Sequence, residues 1–189
     1  MRKVLTKEEF AAKLRKEREE RAKKIKPPKE FKLAGVSAYR RFVEIHSSAV
    51  YGAGYPDPKG YHQYFAPEMS AFDLGREARA ALMASRFITP EHPEWDSVIR
   101  IPRSEEFKAW EEEDKARAGV KTLKALFNGA GNVGLRLQDG QIRLSPSRHR
   151  GRGHWEGIRG QEDTVLPEGV SDAELGAVIV ELLEVSRAA

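Results

Sequence analysis

The sequence predicts a single α/β (α+β) domain in which a small mixed or antiparallel sheet packs against two repeat-like helices. Three observations lead to this fold class: two helical segments of nearly the same sequence, one clear hairpin signal, and apolar residues at both strand and helix spacing. A chain of 189 residues is long enough for one domain with its own core. A charged helical arm is predicted in front of this domain.

The predicted arm is residues 1–32, and the predicted domain is residues 33–189. The arm carries 13 Lys/Arg against 6 Glu, whereas the domain carries 20 Lys/Arg against 23 Asp/Glu. The segment from Thr6 to Glu9 has the pattern of a capping box, and Pro27 and Pro28 end the helical or partly disordered stretch that follows. The net charge of +4 therefore describes the arm and not the domain, which weakens any argument from basic charge to nucleic-acid binding.

Strand-forming residues from Tyr39 to His46 predict the first strand of the domain. The aromatic-, Gly- and Pro-rich residues 47–69 have no helical period, so we expect a long irregular segment there. Residues 104–118 predict a charged helix that Gly119 ends. The stretch TVLP, near the C-terminus, predicts a short last strand.

The clearest strand signal is a hairpin around the dipeptide Asp-Gly at positions 139–140. This dipeptide is typical of a two-residue type I′ turn, which fixes the register of the two strands. It places Leu137 opposite Ile142 on one face and Arg136 opposite Arg143 on the other. Like charges directly opposite are unfavourable, so we expect carboxylates, either the protein's own or those of a partner, to contact this arginine face.

Residues 70–86 and 171–187 are two copies of one helical pattern, 101 positions apart. The identical pairs are Ser70/Ser171, Leu74/Leu175, Gly75/Gly176, Leu82/Leu183, Ser85/Ser186 and Arg86/Arg187. Each copy opens with a serine and an acid three residues later, as a capping box does. Glycine inside a helix costs about 1 kcal/mol relative to alanine. The two glycines therefore predict close approach of another backbone, and the apolar stripes predict two helices in the core.

Composition and motifs exclude several classes of protein. The chain has no cysteine, hence no disulfide, thiolate metal site or catalytic thiol. It has neither a run of about 18 apolar residues nor a secretory leader, and the acids near its start are unlike a mitochondrial presequence; we therefore expect a cytoplasmic protein. The Gly-x-Gly-x-x-Gly spacing at 129–134 follows a helix and precedes a strand, the reverse of a dinucleotide site. No catalytic, metal or cofactor residue is assigned.

Two alternative functions rest on local composition. His149, His154 and Glu156 share one loop and are residue types that a hydrolytic metal accepts, although their spacing matches no familiar ligand pair. The Arg/Gly-rich loop at 148–160 and the arm would suit phosphate contacts in an RNA-binding accessory protein. The residues that would stack on its bases are Tyr51, Tyr55, Tyr61, Tyr64 and Phe65.

Residues 91–114 are acidic, with nine Asp/Glu against three Lys/Arg. The run from Glu111 to Asp114 surrounds one helical turn, so part of it must face solvent. Such a face is ordinarily just solvated. A positively charged partner would find a complementary surface there.

Taken in order, several segments resemble one family. They are FVEIHSS, LGREARAALMASR, TLKALFNGAGNVGLRLQDGQIRLSP, HWEG and DTVLPEGVSDAELGAVIVELLEVS. From about Phe42 to Ser186 the chain is similar to the contact-dependent growth inhibition (CDI) immunity proteins, the CdiI family. The basic arm is not part of this resemblance.

The resemblance implies a cytoplasmic binding protein with no catalysis and no cofactor. Its partner would be the C-terminal toxin domain of a CdiA-type effector, often a nuclease acting on tRNA, which it would block at the active site by one-to-one binding. No contact residue transfers by position, because the interfaces in this family vary. On physical grounds the candidates for the toxin interface are Trp110, Glu111, Glu112, Glu113, Asp114 and Tyr61.

Overall fold

The computed structural model describes residues 27–151 and 154–189, and within them nine strands form one sheet accompanied by five helices. The strands are β1 (Lys32–Ala38), β2 (Val43–Tyr51), β3 (Ala53–Pro56), β4 (His62–Phe65), β5 (Arg86–Phe87), β6 (Gly131–Gln138), β7 (Gln141–His149), β8 (Trp155–Gly157) and β9 (Thr164–Pro167). The helices are α1 (Ala71–Ala84), α2 (Trp95–Val98), α3 (Ser104–Ala118), α4 (Leu123–Leu126) and α5 (Asp172–Ala188).

The strand order is β3-β2-β1-β6-β7-β8, with β4 and β5 paired to β2 and β9 paired to β7. All of these pairings are antiparallel except β2–β5, which is parallel. Helices α1 and α5 cover one face of β1, β2, β6 and β7, and the main core lies between them and the sheet. The predicted fold class, a mainly antiparallel sheet against two similar helices, is confirmed.

The hairpin of β6 and β7 has the predicted register, with Leu137 opposite Ile142. Asp139 has φ 52° and Gly140 has φ 73°, the left-handed values that a type I′ turn requires at both central residues. The final strand, β9, is also where TVLP predicts it. The two turn residues were therefore enough to predict the register of β6 and β7.

The arginine face of the hairpin meets a carboxylate at one of its two arginines. Arg143 Nη1 lies 3.2 Å from Asp163 Oδ2. This is the kind of partner predicted from the two arginines that face each other across the hairpin. The guanidinium of Arg136 instead lies 3.9 Å above the ring of Phe31, a cation–π contact. The prediction of carboxylate partners is thus confirmed for Arg143, and for Arg136 the described residues supply no carboxylate, so a carboxylate from a binding partner stays a prediction.

Strand β1 lies at the centre of the sheet, where the sequence predicted no strand. Tyr39, the predicted start of the first strand, belongs to the turn between β1 and β2. The sequence of β1, KLAGVSA, consists mainly of small residues with weak strand preference. The predicted irregular segment is also wrong, because residues 47–69 contain the end of β2 and both β3 and β4.

Helices α1 and α5 cross at their two glycines, as the repeat predicted. A methyl carbon on Gly176 would lie 2.6 Å from the carbonyl carbon of Ala71, and one on Gly75 would lie 2.8 Å from that of Asp172. Both distances are below van der Waals contact between carbons. Each glycine therefore lets the backbone of the other helix approach, which offsets its cost in helix propensity.

The matched serines at the ends of these helices make equivalent bonds to the sheet. Ser85 Oγ accepts from the backbone N–H of Leu33 at 2.9 Å and donates to the carbonyl of Ser48 at 2.7 Å. Ser186 Oγ accepts from the N–H of Asn132 at 2.8 Å and donates to the carbonyl of Ser147. Leu33 faces Ser48 across β1–β2, and Asn132 faces Ser147 across β6–β7. The fold thus contains two equivalent units, each a hairpin followed by a helix.

Residues 1–26 lie outside the described residues, so the predicted helix within the arm stays a prediction. Lys32, the last residue of the predicted arm, is the first residue of β1, and Phe31 before it is buried. Lys29 pairs with Asp139 at 3.2 Å, beside the β6–β7 turn. Within 27–151 and 154–189, no helix is long and apolar enough to cross a membrane.

Candidate protein-binding groove

The face of the sheet opposite α1 and α5 carries a groove of about 810 Å³. Alternate residues of a strand point to opposite faces: along β2, Val43 and Ile45 belong to the core under the helices, whereas Glu44, His46 and Ser48 line the groove. Helix α3 and the loop before it form the outer wall. The groove therefore lies between the polar face of β2 and α3.

Helix α3 forms this wall while burying little of itself, because only Ala118 of its 15 residues is buried. The guanidinium of Arg117 lies 3.6 Å above the ring of Tyr64 and holds the C-terminal end of α3 near β4. Phe107 and Trp110 pack edge to face at 5.5 Å, and they remain 47% and 39% exposed. Paired aromatic side chains exposed on a helix are typical of a surface that binds another protein.

Acidic side chains outnumber basic ones in the lining of the groove, with five carboxylates against one arginine. The carboxylates are Glu44, Asp57, Glu106, Glu111 and Asp114, and the arginine is Arg100. Arg100 is already paired with Glu106 at 2.6 Å. His62 lies 2.8 Å from Glu44, and Arg86 binds Asp57. Glu111 and Asp114 are therefore the lining carboxylates without a basic partner among the described residues, and they attract a positively charged partner.

A carboxylate–histidine pair lies on the sheet side of the groove, where Glu44 Oε1 is 2.8 Å from His62 Nε2. Burial favours the neutral form of Glu44, but the hydrogen bond from His62 and the charges of His46 and Arg117 outweigh it, so its pKa lies below the usual value. The same hydrogen bond raises the pKa of His62, while burial lowers that of His46. The pair therefore favours a charged carboxylate beside a charged imidazole.

Gly35, on the neighbouring strand β1, makes room for the His46 ring in this part of the groove. A methyl carbon at position 35 would lie 2.6 Å from the ring. Glycine at position 35, the cross-strand partner of His46, therefore leaves the space that the His46 ring occupies.

Asp114 faces Glu44 from the α3 side of the groove. Burial, and then the negative charges of Glu44 and Glu113, raise its pKa to about 7. Its Oδ1 is 3.5 Å from the hydroxyl of Tyr64, too long for a strong hydrogen bond. The Asp114 carboxyl is consequently divided between its protonated and charged forms near neutral pH, and a cationic group placed beside it would favour the charged form.

Arg86 holds Asp57, one of the carboxylates that line the groove, in place. Its guanidinium donates to both oxygens of Asp57, at 2.7 and 2.5 Å, and to Glu94 at 2.7 Å. Burial opposes the charge on Asp57, but the hydrogen bonds from Arg86 prevail and its pKa is lowered. Lys59 and Arg86 together lower the pKa of Glu94 to about 2. These bonds tie the loop between β3 and β4 to the segment after β5.

The structure brings four of the six predicted interface residues into this groove: Trp110, Glu111, Asp114 and Tyr61. Glu112 and Glu113 do not line it. They pair along α3 instead, Glu112 with Lys115 at 2.7 Å and Glu113 with Arg117 at 3.2 Å. The acidic run is thus divided between the groove and the outer surface of α3, and its role in binding stays a prediction.

The three residues weighed as metal ligands do not converge. The ring of His149 stacks on Phe127 with centroids 4.0 Å apart, and Glu156 pairs with Arg150 at 2.5 Å. Across the described parts of the chain, no group of three or more His, Asp and Glu side chains is placed to hold a metal ion. Their geometry gives the metal-dependent hydrolase interpretation no support.

The surface weighed for RNA stacking is acidic. Three of its aromatic residues line the groove, namely Tyr55, Tyr61 and Tyr64. The carboxylates around them repel phosphate. In the Arg/Gly-rich loop, Arg148 and Arg150 both pair with Glu156, and residues 152–153 lie outside the described part of the chain. This arrangement favours a basic protein partner over RNA.

On the sheet side of the groove, sequence reasoning named Tyr61 but missed Glu44, His46, His62 and Trp155. One local signal was available: the alternation of apolar and polar residues from Val43 to Ser48 predicts that one face of this strand is polar. Nothing local indicated that this polar face would lie opposite α3. Glu44 in β2 precedes Ser104, the first residue of α3, by 60 positions.

Comparison with known proteins gives the family. The family described as CdiI, CDI immunity protein, matches residues 32–186 of this chain. The immunity protein CdiI-YPIII of Yersinia pseudotuberculosis serotype O:3 (strain YPIII) is 28% identical over 160 residues, covering 76% of this chain and 89% of that protein. The family match begins at Lys32, the first residue of β1, and so leaves out the rest of the predicted basic arm.

Solved structures share the fold. A protein of unknown function from Neisseria meningitidis has a TM-score of 0.71 and 26% identity, covering 82% of this chain and 94% of that one. A chain from the CdiA-CT/CdiI toxin and immunity complex of Yersinia pseudotuberculosis has a TM-score of 0.68 and 25% identity, covering 86% and 99%. The chain therefore belongs to the CDI immunity proteins, the CdiI family, which confirms the resemblance found in its sequence and its assignment as an immunity protein and not an enzyme.

Proposed function

We propose that this protein binds the C-terminal toxin domain of a cognate CdiA effector, one to one and in the cytoplasm, and neutralises it. Family membership supports this function, as does the similarity to a chain from a toxin and immunity complex. The observation that carries the choice of surface is the groove: it is acidic, and its outer wall exposes Phe107 and Trp110.

The charge of the groove suggests the class of toxin. An enzyme that cuts nucleic acid binds phosphates with a basic cleft. A negatively charged groove complements such a cleft and accelerates encounter with it. We infer that the toxin is a nuclease, with tRNA as a candidate substrate, and that the immunity protein covers its active site.

Calorimetric titration with the toxin domain encoded beside this gene tests the function. We expect one-to-one binding with a nanomolar Kd, typical of a tight complex of standard interface size, together with loss of the toxin's nuclease activity. Absence of binding by folded protein would contradict the cognate pairing. Binding that leaves the nuclease fully active would contradict the proposed mode of inhibition.

Two variants test the groove as the contact surface. Glu111→Lys reverses a groove charge that forms no ion pair among the described residues, and it should lower the association rate and weaken its salt dependence. Trp110→Ala should raise the dissociation rate and cost at least about 2 kcal/mol of binding free energy if this side chain is a central contact. The matched control is Glu181→Lys, an exposed charge on α5, on the other face of the sheet. Unchanged rates in both groove variants would place the interface elsewhere.

A further inference from the structure

The two arginines that face each other across β6–β7 have no part in the function proposed above. Arg136 and Arg143 are cross-strand partners, and the Cβ atoms of such partners are about 5 Å apart. Among the described residues, only Asp163 forms an ion pair with either of them, at 3.2 Å from Arg143. The other oxygen of Asp163 accepts a hydrogen bond from Ser145 at 2.6 Å. One carboxylate therefore serves two guanidinium groups.

Arg136 is held in position by groups that carry no charge. Its guanidinium lies 3.9 Å above the ring of Phe31, and its Nε and Nη2 donate to Oε1 of Gln138 at 3.3 and 3.0 Å. These hydrogen bonds use two of the five N–H donors of the guanidinium. A side chain that is already fixed loses little conformational entropy on binding. The remaining donors of Arg136 suit the two oxygens of one carboxylate.

A recess of about 110 Å³ lies beside the two arginines, lined by Arg136, Gln138, Asp139, Gln141 and Arg143. Since a water molecule takes about 30 Å³ in the liquid, the recess has room for roughly three or four, and hence for a carboxylate group. Asp139 in its lining pairs with Lys29 at 3.2 Å. The arginines and Lys29 thus exceed Asp139 and Asp163 by one positive charge. A single carboxylate would balance this charge, whereas a polyanion such as RNA would also meet both aspartates.

The arginine pair lies on the same face of the sheet as the groove. Leu135 and Leu137 belong to the core under the helices, so Arg136 between them points the other way. Arg136 is the cross-strand partner of Leu33, and Leu33 is the partner of Ser48, which lines the groove. Neighbouring strands are about 4.8 Å apart, so the two outer strands of this row are roughly 10 Å apart. A protein interface covers about 800 Å² on each partner, equal to a disc roughly 30 Å across. One partner bound in the groove therefore reaches the arginines as well.

We propose that Arg136 and Arg143 form a second contact for the toxin domain, where they bind a carboxylate beside its basic cleft. This inference rests on the proposed function. The interface then has charges of opposite sign at its two ends, negative in the groove and positive at the hairpin, which fixes the orientation of the partner. A toxin domain without this carboxylate leaves two guanidinium groups covered and without a counter-charge, which weakens binding. The arginine pair therefore selects among toxin domains.

Binding kinetics with the toxin domain encoded beside this gene test the arginine pair. Arg136→Gln removes the charge, and Arg143→Gln changes a side chain that is 54% exposed. Urea denaturation shows that both variants are folded. Each should raise the dissociation rate about tenfold or more, because a charge-assisted hydrogen bond across the interface is lost. Arg136→Lys, which keeps the charge, should lose less. The matched control is Arg76→Gln on α1, at a side chain that is 52% exposed, and its rates should be unchanged.

A double-mutant cycle identifies the carboxylate on the partner. Each Asp and Glu around the cleft of the toxin domain is changed to Asn or Gln and measured against the wild type and against Arg136→Gln. We expect one of these changes to weaken binding to the wild type and to have little further effect on binding to Arg136→Gln. Unchanged rates for both arginine variants, or the absence of any coupled carboxylate, would overturn the proposal.

The same measurements distinguish this inference from the proposed function. If Trp110→Ala weakens toxin binding and the arginine variants do not, the function stands and this inference fails. If the folded wild type does not bind the toxin domain, both fail. Binding of tRNA to the free immunity protein is measured alongside. If the arginine variants lose affinity for tRNA and not for the toxin domain, the hairpin contacts phosphate, which also overturns the proposal.

Discussion

Replacing Gly176 by alanine tests whether the glycine crossing holds the two core helices at their present separation. The added methyl carbon would lie 2.6 Å from the carbonyl carbon of Ala71 and closer still to its oxygen. Carbon atoms in contact are about 3.5–4.0 Å apart, so the helices must separate by about 1 Å or more. The obstacle is backbone and cannot rotate away.

This separation sets the expected loss of stability. A gap of about 0.5–1 Å forfeits a quarter to a half of the dispersion energy of each contact it opens, and the crossing is flanked by buried Leu74, Leu175 and Ile179. Overpacking a core costs about 1–3 kcal/mol, and a rigid obstacle belongs at the upper end. Alanine regains about 1 kcal/mol of helix propensity. We expect a net loss of about 2 kcal/mol in the free energy of unfolding.

Urea denaturation measures this loss. With an m-value of about 2 kcal/mol/M, the midpoint of Gly176→Ala should fall by about 1 M. The control is Gly134→Ala, whose methyl carbon would meet nothing nearer than Ser145 O at 3.9 Å and should leave stability unchanged or slightly raised. The reasoning is refuted if Gly176→Ala is as stable as the wild type. Adding Gly75→Ala should cost little more, because one separation relieves both clashes.

Three further perturbations have defined outcomes. Ser186→Ala leaves a backbone donor and acceptor at the end of β6–β7 unpaired and should lower stability by about 1–3 kcal/mol in urea denaturation. Arg86→Met leaves the side chain of Asp57, which has no exposed surface, with only the backbone N–H of Lys59 as a partner. A similar loss of stability is expected, and weaker toxin binding in calorimetry, because the β3–β4 loop beside the groove loosens. The pKa of Asp114, about 7 when folded, exceeds the unfolded value of about 3.9, so the wild type loses stability as pH rises between these values. Asp114→Asn should flatten that decline, which urea midpoints at pH 5 and 7.5 will show; an unchanged slope would contradict the assigned burial.

The parts of the fold that the sequence predicted are those with local causes. A type I′ turn needs left-handed backbone at two successive residues, so Asp139 and Gly140 determined the register of β6 and β7. Glycine is unfavourable inside a helix, so Gly75 and Gly176 indicated the helix crossing. Strand β1 escaped prediction because its place depends on partners on both sides, β2 and β6, and not on its own strand propensity.

The part of the candidate site that the sequence predicted also has a local cause. The acidic run on α3 is local and visible, and it supplied Trp110, Glu111 and Asp114 to the groove. Glu44 lies on β2 and His62 on β4, two strands that are paired although β3 lies between them in the chain. Their approach to α3 depends on how residues 88–127 pack back over the sheet, which no local pattern specifies.

The two hairpin-and-helix units contain the contacts that hold the core helices against the sheet, whereas much of the proposed contact surface lies outside them. The paired glycines and serines lie within the units, whereas α3, β3 and β4 are insertions outside them. Among the described residues of the second unit and its own insertion, only His154 and Trp155 reach the groove. Substitutions in the insertions can therefore alter the proposed contact surface without disturbing the helix crossing, because the two glycines and their neighbours lie on other elements.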